Sequence, residues 1–329
     1  MKKIIIILAF SLSATLTFSQ DKPLEISGSA DLYYKYDFSK TANIPTSFAS
    51  DQNSVSLGMV DIVLKKKTGK TSFVAEISFG PRGAGQSIPD VNGQSYHIQN
   101  LYATYEASDK LTLTAGYMST FIGYEVISPL SNFHYSTSYL FTNGPFQNGG
   151  VKANYTFSKK VGLMVGLFND QWNAYQANSS LGLNAVGAQL SLSPSEKLTA
   201  YVNYLSGSAS GKILDLTANY QMTDKFKLGL NAADYKGIYD NTGFSGVALY
   251  PSYKIKDNFS LGLRAESFKS KSTDTSYTAF TLTGNIKSGG LTFIPEVRLD
   301  NASEKVFANA NLAPTKSAAQ VCLAVVYGF

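Results

Sequence analysis

Two histidines, His97 and His134, are the only imidazoles available as general bases. His134 stands two positions before Ser136, a spacing that suggests a hydroxyl nucleophile beside its base. Nucleophilic catalysis also needs a third group to orient the base, and none is marked nearby, so no enzyme and no catalytic residue is expected. Neither histidine lies in a ligand-spaced cluster, which argues against a metal site. The single cysteine, Cys322, excludes an intramolecular disulfide and a Cys-rich zinc site. The segment Gly80-Pro-Arg-Gly-Ala-Gly85 reads as a loop whose glycines precede no helix, so it is no phosphate cradle, and no cofactor is implied.

What remains is charge scattered singly through apolar surroundings: Lys35, Glu76, Arg82, Lys152, Arg264, Glu266, Glu296 and Arg298, together with Glu25, Asp31, Asp37, Asp215, Lys227 and Asp300. Their meaning depends on the elements that carry them. Short stretches of strictly alternating residues follow one another from Leu24 to Phe329. Val321, Leu323, Val325, Tyr327 and Phe329 alternate with Gln320, Cys322, Ala324, Val326 and Gly328, and Leu32, Tyr34 and Tyr36 alternate with Asp31, Tyr33, Lys35 and Asp37. Period-two alternation is the signature of a strand with two unlike faces. The stretch from Val55 to Lys65 changes phase near Met59, which suggests a bulge.

The gaps between stretches alternate too. Tight ones such as Lys67-Thr-Gly-Lys70, Ser158-Lys-Lys160 and Lys287-Ser-Gly-Gly290 carry hairpin-turn residues. The others are longer, at about 39–51, 83–95, 119–145, 169–183, 207–211, 236–243, 270–275 and 300–316. We expect an all-β, transmembrane, antiparallel up-and-down β-barrel of about 16 strands (14–18), with short periplasmic turns, longer outer loops and both termini in the periplasm. Phe73, Tyr105, Phe157, Tyr220, Phe226, Tyr253, Phe259, Phe293 and Phe329 sit near the tight turns or the chain end with outward parity and read as one interfacial girdle. A soluble sandwich would bury these residues but would need a second layer, which the polar alternate face does not obviously offer.

Lys or Arg on the lipid face at mid-membrane costs about 2–4 kcal/mol, so the charged set must face the bore. There, Arg264 with Glu266 and Arg298 with Glu296 either pair and keep the bore wet or form a selectivity patch. The third long connection, 119–145, is the longest. It is expected to fold inward and narrow the bore, with Tyr124, Glu125, His134, Tyr135 and Ser136 near the constriction; the alternative is an external cap made rigid by its aromatics.

The chain begins Met-Lys2-Lys3, then an apolar run from Ile4 and small residues to Ser19, which reads as a signal peptide over 1–20, leaving 21–329 as one domain. A membrane anchor is the alternative, but the run is short for a spanning helix. Loss of the two lysines lowers the formal charge from +5 to +3, too balanced for a nucleic-acid surface. With 21 Tyr, 20 Phe and 27 Gly against 10 Pro and 1 Trp, the composition suits strands.

The segment Leu113-Thr-Ala-Gly-Tyr-Met-Ser-Thr-Phe-Ile-Gly-Tyr-Glu125, with Asn132-Phe-His-Tyr-Ser136 and Gly144-Pro-Phe146 after it, resembles the β-barrel porin family described as porin-2, OmpL-like. The likeness is most specific from Gly116 to Glu125 and at Tyr135-Ser136, and it extends over most of the mature chain. It implies an outer-membrane porin, a channel for passive diffusion of small hydrophilic solutes among outer-membrane lipid in a Gram-negative bacterium. It also allows a homotrimer. The leader ending Ser-Gln resembles those of Bacteroidetes, and the terminal Phe329 resembles the signal read by the outer-membrane assembly machinery. An outer-membrane phospholipase would place Asn-Gly after the His-x-Ser pair, and that is absent. The alternative function is an adhesin or binding barrel acting through its outer loops.

Overall fold

The computed structural model describes residues 23–84 and 97–329. In chain order the elements are β1 (Glu25–Asp37), β2 (Ser54–Thr68), β3 (Thr71–Phe79), α1 (Pro81–Ala84), β4 (Ile98–Glu106), β5 (Leu111–Ser119), α2 (Tyr139–Asn143), β6 (Gln147–Ser158), β7 (Val161–Phe168), β8 (Ala185–Ser195) and β9 (Leu198–Gly207). They continue with β10 (Gly211–Gln221), β11 (Phe226–Lys236), β12 (Gly243–Lys256), β13 (Phe259–Ser270), β14 (Ser276–Ser288), β15 (Leu291–Ala302), β16 (Phe307–Ala308), β17 (Pro314–Thr315) and β18 (Ser317–Gly328). Sixteen of the strands close into one antiparallel cylinder, in which each pairs with its sequence neighbours and β1 pairs with β18. The small hairpin β16–β17 stands apart, within the last long connection.

Closure runs through nine rungs, from Ser29 opposite Gly328 to Asp37 opposite Gln320. Strands of 8 to 15 residues are long enough to cross the apolar layer at a tilt. At one rim seven turns of two to four residues join the strands, and Gly69 and Gly289 take the left-handed conformation (φ 56° and 59°) that two-residue hairpins require. The opposite rim carries the long connections. The second of them, expected at 83–95, lies almost wholly outside the described residues, as does the leader. One turn of helix, α1, opens it at Pro81, where the sequence suggested only loop.

Parity sorts the side chains as alternation requires. Leu32, Tyr34, Val297, Leu299, Leu323 and Tyr327 point outward, whereas Asp31, Lys35, Glu296, Arg298, Asp300 and Gln320 are buried inside. Phe73, Tyr105, Phe157, Tyr220 and Tyr253 stand exposed on the outer surface near the tight-turn rim, whereas Phe329, expected among them, lies beyond the end of its strand and turns to the lumen side beside Gly28 and Asp61. Each large apolar side chain on that surface gains about 1.5–3 kcal/mol when lipid replaces water. The phase change near Met59 is a bulge. Ala30 faces Val60 while Leu32 faces Leu57, so Gly58 and Met59 together oppose Asp31, whose Oδ1 accepts the Met59 N–H at 2.9 Å.

The inner face is not uniformly polar. Toward the long-connection rim, Met164, Phe168, Leu205, Ile213, Phe244, Ala248 and Phe268 point into the barrel and form an apolar cluster with Ile122, Tyr139 and Leu140 of the third connection. An inward position there meets protein instead of water.

Candidate functional site

The third connection, residues 120–146, leaves β5, crosses the lumen and returns to β6, its neck closed by the Thr120 N–H donating to the Phe146 carbonyl at 3.0 Å. Its first arm runs along β7–β12. Phe121 packs on Phe168, the Gly123 N–H donates to Asp215, and Tyr124 donates through its hydroxyl to Asn219 at 2.8 Å while stacking on Tyr250 at 4.3 Å. The connection then dips to the tight-turn rim, where Leu130 fills the space a side chain on Gly328 would need.

The second arm is held by charged side chains of the wall. Glu296 accepts the backbone N–H groups of Tyr135 and Ser136 at 3.0 and 3.2 Å, and Glu266 accepts those of Tyr139 and Leu140 at 2.9 and 2.8 Å. Arg264 donates to the Ser136 carbonyl at 2.5 Å, and Arg298 donates to that of Thr137 at 2.8 Å. Ser138 caps α2 by accepting the Phe141 N–H. A run of chain that makes no strand or long helix thus has its polar backbone groups satisfied by side chains, which burial demands.

Arg264 forms its ion pair with Glu125 of the connection at 2.7 Å, not with Glu266, its neighbour two residues on. Arg298 pairs with Asp300 at 2.8 Å, not with Glu296. Both arginine side chains are fully buried. Arg82 projects from α1, not from a strand. It lies between the rings of Phe48 and Tyr135 (4.3 and 4.6 Å) and donates to the carbonyls of Ile127 and Tyr135. Lys35 is buried opposite Cys322 on the β1–β18 seam. Glu76 accepts from Gln99 and Asn100 and, with Lys152, lines a cavity of about 680 Å³ between β1–β6 and residues 126–131. Tyr124, Glu125, His134, Tyr135 and Ser136 are therefore all inside the barrel. His134 Nδ1 lies 2.7 Å from Thr283 Oγ1, and Ser136 Oγ accepts from Arg264 at 3.2 Å, so the histidine's bond goes to a wall threonine and not to the serine.

Sequence reasoning missed the first connection. Its residues Thr46 to Phe48 lie over α2, with the Ser47 N–H donating to Thr142 Oγ1 at 2.8 Å and the Ser47 carbonyl accepting from Thr137. It also missed two glycine seats. A Cβ on Gly262 would come within 2.3 Å of the Phe133 ring, and one on Gly229 within 2.2 Å of the Tyr124 hydroxyl. Glycines at inward parity on otherwise regular strands were the available signal. Gly262→Val should expel Phe133 and loosen the connection by about 1–3 kcal/mol, as overpacking generally does. Folded yield, read from heat-modifiable gel migration, should hold while current noise in planar bilayers increases.

The family described as "Putative beta-barrel porin-2, OmpL-like" matches residues 23–329. The chain belongs to that family. It is an outer-membrane porin, a channel for passive diffusion, and the family and fold are those of a non-enzymatic protein. Among solved structures, the porin is similar to the anion-selective porin from Comamonas acidovorans, with 12% identity, 93% of this chain and 99% of that chain covered, and a TM-score of 0.65. The trimer form of OmpT from Vibrio cholerae matches with 12% identity over 93% and 99% of the two chains at a TM-score of 0.62. A Rh. blastica porin mutant matches with 16% identity over 93% and 100% at 0.55. At such identities the likeness is one of fold. No curated protein matches the chain.

Burial holds the His134 imidazole well below its ordinary pKa, and the nearby Arg264 and Arg298 lower it further. The seated form thus resists a proton that a released loop accepts. Seating is therefore unaffected above the ordinary imidazole range and weakens as the pH falls through it. Currents of the wild type recorded from pH 7.5 to 4.5 should grow noisier on acidification, and His134→Gln should remove the share of that change due to the imidazole. Identical profiles would refute the assignment.

Proposed function

We propose that this porin passes small hydrophilic solutes through a bore narrowed by its third connection, with the route running along the β1–β6 wall past Glu76 and Lys152. The observation that carries the reading is the course of residues 120–146 through the lumen, tied to the wall by Glu125, Glu266, Glu296, Arg264 and Arg298. The cavity beside it is polar on the barrel side, as a route for hydrated solutes must be.

In the same reading, residues 1–20 are a cleaved leader, 21–329 form one domain, and the tight turns and both termini face the periplasm, which is where short turns lie in such barrels. The terminal Phe329, exposed at the tight-turn end of the barrel, is then available to the assembly machinery. Three copies assemble, an arrangement the Vibrio cholerae relative has in its trimer form. Liposome swelling tests the reading. Vesicles holding the purified protein should admit monosaccharides and small amino acids, whereas a barrel serving only adhesion would leave them osmotically tight.

A further inference from the structure

The third connection divides the tight-turn half of the lumen. Beyond it from the β1–β6 cavity lies a second one of about 430 Å³, bounded by β10–β15, β18 and residues 124–134. Its roof is closed by Tyr124, His134 and Tyr250, with the apolar cluster above, so it opens toward the tight turns. Glu125 reaches its lining but is paired with Arg264 and adds no net charge. Lys227 and Lys287 line it as well, and among the described residues neither lies within ion-pair distance of a carboxylate. Hydroxyl and amide groups stand beside them on the wall: Lys227 is level with Ser252 and Lys287 with Thr292, and Asn285 is level with Ser260. The rings of Tyr124 and Phe133 border the pocket too, packed on that same wall over Gly229 and Gly262, and the Asn285 amide donates to the Phe133 carbonyl at 2.8 Å.

A net positive pocket lined by neutral hydrogen-bonding groups and bordered by aromatic rings matches an anion borne on a hydroxylated ring. The lysines hold the charge, the wall hydroxyls and the Asn285 side-chain carbonyl meet the ring hydroxyls, and the bordering rings take the ring's C–H surface. The volume lies within the range of pockets for small ligands. We propose that this chamber is a binding site for small acidic sugars, a carboxylate on a hydroxylated ring, entered from the tight-turn side. The proposal rests on the porin reading for its physiological sense but not for its test.

Calorimetric titration of the refolded full-length protein in detergent micelles with D-glucuronate should saturate, while D-glucose and acetate bind at least about tenfold more weakly, since each lacks one half of the complementarity. K227Q/K287Q and the milder K287Q should weaken glucuronate binding progressively, with folding confirmed by heat-modifiable migration. Absence of saturable binding, equal binding of glucose or acetate, or unchanged affinity in both variants would overturn the site. Liposome swelling on the same preparation separates the two ideas: impermeable vesicles with intact glucuronate binding would sink the channel reading and leave the chamber standing.

Discussion

Deletion of residues 128–142 will raise the single-channel conductance by at least about twofold, because current follows the open cross-section of the pore. The excised stretch contains the dip to Leu130, the rings of Phe133, Tyr135 and Tyr139, and all but the last residue of α2, and these lie inside the cylinder. The barrel does not depend on it. The β5–β6 ladder from Leu111 opposite Tyr155 to Ser119 opposite Gln147 uses no atom of the deleted segment. The wall left behind carries Glu266, Glu296 and Arg298 released from the connection and Arg264 without its bonds to Ser136, so ion selectivity should change together with conductance. It also exposes Phe244 and Phe268, so the melting temperature should fall. A deletion variant that folds and conducts like the wild type would show that the connection does not constrict the bore.

Arg264→Met will unseat the connection while leaving the cylinder folded. The arginine side chain is fully buried, pairs with Glu125 at 2.7 Å, donates to Ser136 at two atoms, and bonds Thr281 at 3.1 Å. Removing one partner of a buried pair strands the other charge and costs about 3–5 kcal/mol. At tenfold per 1.4 kcal/mol, the ratio of seated to released connection should drop by about two to three and a half orders of magnitude. The measurement is current fluctuation in planar bilayers, with protease cleavage within 126–140 as an independent reading. E125Q/R264M should be quieter than R264M alone, since no unpaired charge remains. Quiet, wild-type-like currents from R264M would mean that packing, not the ion pair, holds the connection.

Alternation and turn chemistry are local signals, and for that reason the barrel was legible. The strand count, the seven tight turns, the inward direction of Arg264, Glu266, Glu296 and Arg298, and even the irregularity at Met59 all follow from which residues stand two apart. What those signals cannot report is what an inward side chain meets. Parity places Glu266 and Glu296 inside, but their partners are backbone N–H groups more than a hundred residues away in sequence. The Arg264–Glu125 pair spans 139 positions and displaced the expected neighbour pairing with Glu266. A hint was present in Phe168, Leu205, Ile213, Phe244 and Phe268, apolar residues at inward parity, which make sense only if protein fills that part of the bore.

The seam between β1 and β18 has a further consequence, for biogenesis. The residues that meet there, such as Tyr33 and Ala324, are separated by almost the whole length of the barrel sequence. Until Ser317–Gly328 arrives, β1 and β15 both present bare rows of N–H and C=O groups, which are templates for aggregation. Joining ends so far apart in sequence is also entropically slow. A nascent or truncated polypeptide lacking its last dozen residues therefore cannot seal itself, and it requires an escort until the final strand is in place.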